Sequence, residues 1–492
     1  MLIKLLPEDF QVRELTAWSP SPEGSFAVFE LEKRKLDTFE AVRLVSAHGK
    51  VPLDRIAYVG LKDRQGVTTQ LISIAGAPRI QARIPGVKLR YLGRSPRALG
   101  ASDLLGNAFR LVVRDLEPAQ VARLPERLRG VERHGLIDYF DDQRFGSLVA
   151  GQGLPGRDLV RGDFQAVVRA LLTEPGARDP LPEKRWKHLV GHLWGDWEQL
   201  ARKWGNRRGA SIVRHLRRRP DDWAGALQRL PAKERAIHVF AYQSLLWNEA
   251  VARYLRRKLP PGRLTTSPYA GGLHVWPEYG ADEELPPLVE SFPLLDHTVE
   301  PADPEVRAAI DEALAVEGLT IPTFKIEGIP GCFFKHHERQ LRVRPARMRL
   351  LGPAAPDERR EGRLKQALEF ELPPGAYATL VLKRLFQAEP RRGDVVAQEQ
   401  RRRRRRKEKQ RERGPAGDRP RGGGDRSRGG DRSRGGDRSR GGDRSRGGDR
   451  SRGGDRSRGG DRPQGGTGRA RPGKKRGGSR GGGAQRPERA DS

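Results

Sequence analysis

The chain has 492 residues, with 95 lysines and arginines against 63 aspartates and glutamates, a formal net charge of +32. Its one cysteine, Cys332, excludes an internal disulfide and a cysteine metal cluster, and no run of about 18 apolar residues exists to span a membrane. The excess charge is uneven: residues 396–492 hold 33 basic and 13 acidic residues against 62 and 50 before them, so both parts are basic and a polyanion such as RNA or DNA is the expected partner.

The opening "MLIKLLPEDFQV" meets Lys4, Glu8 and Asp9 within ten residues, which interrupts any signal-peptide apolar region and leads us to expect a cytoplasmic protein. "FQVREL" and "SFAVFELEK" follow as predicted strands, since branched and aromatic residues alternate with polar ones. "TFEAVRLVSAHGK" predicts a helix ending at Gly49. In "YVGLKDRQGVTTQ" a short apolar approach reaches Gly60, then a polar tip with Asp63 between Lys62 and Arg64, then a strand "TQLISIAG". Flanking cations favour the ionised carboxylate, which makes a poor general acid but a serviceable loop anchor or nucleophile. A turn salt bridge is the bland reading of such a triplet.

"VKLRYLG" and "NAFRLVVRDL" are further strands, and "PAQVARLPERLRG" predicts a helix ending at Gly130. "LIDYFDDQRFGS" gathers Tyr139, Phe140, Gln143, Arg144 and Phe145 into one short loop. Residues 156–321 are rich in tryptophan and in helical stretches, notably Ala236 to Lys258. Strand patterns return at "FFKHHERQLRVRP" and "ALEFELPPGAYATLVLKRLF", the latter with Tyr377 after a Pro-Gly turn. The pattern predicts an α+β fold with a largely antiparallel mixed sheet: a catalytic domain over 1–155 and 322–395, a helix-rich insertion over 156–321, and a tail over 396–492. That tail opens with "RRRRRRKEKQRER" and carries six copies of "DRSRGG", too poor in apolar residues to bury a core, so it is expected to be disordered and to grip RNA electrostatically.

Phe10, Phe140 and Tyr377, near amide and guanidinium groups, suit an unstacked base held by ring stacking and edge hydrogen bonds, although each could equally be a core aromatic. The adjacent His336 and His337 point to opposite faces of a probable strand and form no chelating pair.

Five stretches, "KLLPEDFQVRE", "GLKDRQGVTTQ", "GNAFRLVVR", "DYFDDQRFG" and "LPPGAYAT", together resemble the TruD family of tRNA pseudouridine synthases. The resemblance implies a pseudouridine-synthase-like catalytic domain and an enzyme that detaches uracil from its ribose, rotates it and rejoins it through carbon 5, most naturally at uridine 13 of tRNA. It maps the essential carboxylate to Asp63, an aromatic to Phe10, the stacking aromatic to Tyr377, and an ion partner of Asp63 to Lys4. Asp138 and Asp141 depart from the family's common asparagine and glycine, and an ionised carboxylate at 138 accepts hydrogen bonds where an amide would also donate. Asp138, Phe140, Gln143 and Arg144 complete the expected substrate contacts, and Lys62, Arg64 and Arg144 are candidates for the phosphate-facing lining. The isomerisation needs no redox change and no energy input, so no cofactor, metal, membrane or obligatory protein partner is expected. The rival reading is a non-catalytic RNA-binding protein or chaperone acting through its tail.

Overall fold

A computed structural model describes residues 1–76, 80, 84–146, 154–176 and 179–386. The expected disordered tail, 396–492, lies outside the described residues.

The first strands form where alternation predicts them. β1 (Phe10–Thr16) and β2 (Phe26–Arg34) turn alternate residues inward, Phe10, Val12 and Glu14 in the one and Ala27, Phe29, Leu31 and Lys33 in the other. α1 (Thr38–Gly49) starts at Asp37, whose carboxylate caps the Glu40 amide while Glu40 returns the bond, a reciprocal capping box. The short β3 (Ile56–Tyr58) and long β4 (Val67–Ala75) are antiparallel, joined by the Gly60–Gly66 connection. β5 (Val87–Ser95) and β6 (Leu104–Leu116) follow.

The predicted helix over 118–130 is instead two, α2 (Pro118–Ala122) and α3 (Leu124–His134). Pro125 in the first turn of α3 has no amide to continue the earlier helix, and the true stop is Gly135, at φ 73°, rather than Gly130. After β7 (Leu136–Ile137) come six helices: α4 (Pro155–Val160), α5 (Phe164–Thr173), α6 (Leu181–His192), α7 (Trp197–Trp204), α8 (Ala210–Arg218) and α9 (Trp223–Gln228). The 27-residue α10 (Ala232–Lys258) begins four residues before its apolar pattern does. The helical block also contains strands, β8 (Leu264–Tyr269), β9 (Gly272–Pro277) and β10 (Ser291–Leu294), before α11 (Pro304–Glu317).

The returning strands are shorter than their sequence pattern. β11 (His337–Gln340) starts only at the second histidine, and β12 (Arg342–Val343), β13 (Ala346–Leu350) and β14 (Ala355–Pro356) precede the long β15 (Leu364–Leu372). The apolar run after Tyr377, read as strand, is a helix, α12 (Ala378–Leu385), burying Leu380, Val381, Leu382 and Leu385. So short an apolar run does not distinguish the two periods, and tertiary packing decides.

Nine strands of the described residues form one mixed sheet, ordered β13-β15-β6-β1-β4-β2-β5, with β14 on β15 and β3 on β4. β1 and β4 are parallel and every other pair is antiparallel, as the α+β reading requires. On its inner face Phe10, Phe109 and Phe370 run across β1, β6 and β15, the last two stacked at 5.4 Å. Burying each such ring stabilises the fold by about 1.5–3 kcal/mol. A smaller core under α1 unites Phe29, Leu31, Val42, Val45, Ile72 and Ile74. The parallel pairing of Gln11 with Val67 brings the start of β1 beside the end of the Gly60–Gly66 connection. A side chain at Gly66 would put its Cβ 2.3 Å from the Phe10 carbonyl oxygen, so only glycine permits that approach. No helix of the described residues is long and apolar enough to cross a membrane.

Candidate active site

The Gly60–Gly66 connection is fixed through its backbone. The Gly60 carbonyl accepts from Gln70 Nε2 at 2.9 Å, and the Lys62 amide donates to Thr38 Oγ1 at 2.9 Å, whose hydroxyl in turn donates to Gln70 Oε1 at 3.0 Å. The carbonyls of Lys62 and Asp63 accept from Lys33 Nζ at 3.3 and 2.9 Å. Lys62 itself folds back to Glu14, Nζ to Oε1 2.6 Å, both side chains almost wholly buried. Burial raises the Glu14 carboxyl despite that partner and lowers the Lys33 ammonium to about 8.

With its backbone held, Asp63 leaves its carboxylate at the tip, about one third exposed. Oδ2 receives Lys4 Nζ at 2.6 Å, and Oδ1 lies 3.5 Å from Gln143 Nε2. Lys4 reaches it from a left-handed backbone, φ 62°, which costs a non-glycine residue about 1–2 kcal/mol. The chain on either side absorbs that cost: Leu2 exchanges both backbone hydrogen bonds with Arg114, and the buried Arg114 guanidinium grips Asp9 and Asp357. The same ammonium sits 4.0 Å above the Phe10 ring.

The second wall is the loop 138–145. Asn248 on α10 accepts from the Phe140 amide at 2.9 Å and donates to its carbonyl at 2.8 Å, fixing Phe140 with both hands of one amide. Its ring meets Tyr377 edge-on at 6.5 Å, has Arg144 at 5.5 Å and carries the Arg339 guanidinium 4.3 Å above it. Arg144 donates to Ser244 Oγ at 3.0 Å. Burial lowers the Arg144 guanidinium and raises the Tyr377 phenol. Tyr139, next in sequence, is fully buried and belongs to the core, bonded through its hydroxyl to the Val275 carbonyl.

The two aspartates that depart from the family pattern both have partners. Asp138 Oδ2 lies 2.6 Å from Arg339 Nη2, its carbonyl accepts Arg339 Nε at 2.9 Å, and its Oδ1 is buried without a hydrogen bond. Burial pushes this carboxyl up to about 6. Asp141, buried, receives Thr379 Oγ1 and the Lys383 ammonium, tying the loop to α12 where a glycine could not.

Phe10, Lys4, Asp63 and Gln143 thus form one line of contacts, and Asp138, Phe140 and Arg144, on the same loop as Gln143, form a second cluster with Tyr377 from the start of α12. Lys62 stands apart, turned into the sheet. Arg64 faces solvent, paired at 3.2 Å with Glu40. His336 is 48% exposed and lies 3.6 Å from Asp296. Among the described residues no three His, Cys, Asp or Glu side chains converge in a metal-binding group.

Sequence reasoning missed Lys33, Asn248 and Arg339. Lys33 was legible, since strand alternation places it on the face of Phe29 and Leu31, where a lysine needs a reason. Asn248 and Arg339 lie more than 100 residues from the loop they hold and gave no local signal.

Comparison with known proteins gives a single answer. The family model of tRNA pseudouridine synthase D (TruD) matches residues 1–267 and 287–385. A Methanocaldococcus jannaschii protein named probable tRNA pseudouridine synthase D 2 is 31% identical over 397 residues, covering 78% of this chain and 92% of the relative. The tRNA pseudouridine synthase D of Aquifex aeolicus is 30% identical over 398 residues, covering 78% and 97%. A crystal structure of a Methanosarcina mazei protein assigned to the same family superposes with a TM-score of 0.62 at 26% identity, over 79% of this chain and 94% of that one.

Proposed function

The chain belongs to the TruD family of tRNA pseudouridine synthases, and on that premise we propose that it isomerises uridine 13 of tRNA with Asp63 as the essential carboxylate. The supporting observation is the tip of the Gly60–Gly66 connection: a carboxylate ion-paired to Lys4, within reach of Gln143, on a backbone that buried side chains fix. Such a group is positioned before substrate arrives, which is where much of the rate enhancement of a positioned reaction originates.

In the reaction the N1–C1′ bond of the nucleotide breaks and a C5–C1′ bond forms. The C5 proton leaves and N1 gains one, so composition is unchanged. Asp63 acts as nucleophile, toward the sugar or the uracil ring, or as a base on the sugar, and each role requires the charged carboxylate. Flipping the nucleotide out costs a few kcal/mol of stacking, and aromatic partners offset about 1–3 kcal/mol per base. Tyr377 supplies that surface here, with the buried Phe140 meeting it edge-on from behind and Arg144 beside it. Phe10 supports Lys4 from below. Arg64 and Arg144 serve the phosphates, and Lys62, buried against Glu14, belongs to the frame.

Asp63→Asn keeps the shape and removes the charge. It should lower pseudouridine formation in tRNA by at least 1,000-fold, on the order of 4 kcal/mol in the barrier, while tRNA binding stays within a few fold. Turnover within tenfold of wild type would end the assignment.

A further inference from the structure

Lys33 is a fully buried lysine whose partners are mostly carbonyl oxygens. Its Nζ donates to Leu36 at 2.7 Å, Asp63 at 2.9 Å and Lys62 at 3.3 Å, one acceptor for each of its three protons. Two of the three belong to the tip of the candidate site, and one is the main-chain oxygen of Asp63 itself. Most buried ammonium groups neutralise a carboxylate; this one grips backbone, a cap for a connection that forms no helix or strand.

Building on the reading of Asp63 as the reacting carboxylate, we propose that Lys33 is a positioning residue for the isomerisation: its ammonium holds the Lys62 and Asp63 carbonyls and thereby sets where the Asp63 carboxylate points. Only the protonated side chain satisfies all three oxygens. A neutral amine has two protons and turns a lone pair toward a third oxygen, so losing the charge replaces an attraction with a repulsion.

The surroundings decide when that happens. Desolvation pulls the ammonium down to about 8. The charged groups facing it are Asp37 at the start of α1, Glu40 on α1, and Asp63 and Lys62 in the connection; the three acids favour its charge and Lys62 opposes it. Its cross-strand neighbours, Thr68 on β4 and Val87 on β5, are uncharged. Because the folded value lies below the ordinary lysine value, the grip is complete at neutral pH and fades as pH rises through about 8.

The test compares kcat and KM for tRNA in wild type and Lys33→Met between pH 6.5 and 9.5. We expect kcat to fall about 100-fold in the variant at pH 7 with KM within threefold, and the wild-type loss of kcat above pH 8 to be absent from it. A variant with kcat within threefold of wild type, or one that retains the same alkaline limb, overturns the proposal. Should Lys33→Met fail to fold, hydrogen exchange in the wild type decides: corrected protection of residues 60–66 should drop about tenfold between pH 7 and 9 while that of 104–116 holds. Unchanged protection at 60–66 overturns it. Loss of activity in Asp63→Asn alongside an unimpaired Lys33→Met would remove only this inference; an active Asp63→Asn would remove the reading beneath it.

Discussion

The two loops that face each other in the candidate site are held by opposite strategies. The Gly60–Gly66 connection is fixed by Glu14, Lys33, Thr38 and Gln70, all within the first 70 residues and on strands or a helix that pack directly against it. The loop 138–145 is fixed by Ser244 and Asn248 on α10, Arg339 on β11, and Thr379 and Lys383 on α12, from 100 to 242 residues away. The first arrangement fixes the Asp63 carboxylate with local parts. The second makes the loop 138–145 depend on the assembly of distant segments. Under the proposed function, the chemistry that needs one fixed oxygen is served by the first, and the surface for the large substrate is built where separate segments meet.

Removing a distant support should break the second loop and spare the first. Asn248→Ala leaves the Phe140 amide and carbonyl unpaired in a buried place, at about 2–4 kcal/mol. We expect a Tm lower by several degrees and faster hydrogen exchange over 138–145, with 60–66 protected as before; equal loosening of both loops would show that they form one unit.

The Asp138–Arg339 pair sharpens the contrast through pH. Its carboxyl, pushed up to about 6 by burial, holds a proton in the folded chain that the unfolded chain gives up nearer pH 4. That contribution to stability is full below pH 4 and lost as pH rises through 6. Compared with Asp138→Asn, the wild type should therefore gain roughly 1–3 kcal/mol between pH 7.5 and pH 4.5, read as converging or reversing Tm values. A constant difference across that range would mean that burial costs this acid little.

The smallest effect belongs to the exposed rim of the first loop. Arg64→Ala removes a guanidinium that is 63% exposed and only loosely paired with Glu40, so Tm should not change measurably. If the side chain meets phosphate, the slope of log affinity for tRNA against log salt should shrink by about 1. An identical slope would return Arg64 to the solvated surface.

Much of the site was legible because its signals are local. Alternation in "FQVREL" placed Phe10 at a strand start, the polar tip after Gly60 placed Asp63 on a connection at the end of a strand, and the Pro-Gly turn announced Tyr377. Local signals also misled. Lys62 sits beside Asp63 in sequence yet points to Glu14, because successive residues of an extended segment face opposite ways. "TLVLKRLF" opens on a short apolar run that fits either period but is helical, since α12 packs against β7 and α3 and carries Lys383 to Asp141.

By itself the sequence determined the α+β class, the strands of the first 116 residues and the basic character of both parts, and its family resemblance singled out the carboxylate proposed to carry the chemistry. The first three follow from side-chain period, turn chemistry and charge, which act between near neighbours. Strand alternation turns Lys33 inward, but tertiary structure alone decided that it meets two loop carbonyls, that Asn248 and Arg339 hold Phe140, and that Asp141 anchors α12. Those contacts join residues far apart in the chain, and each exists because a buried polar group must find a partner wherever folding brings one.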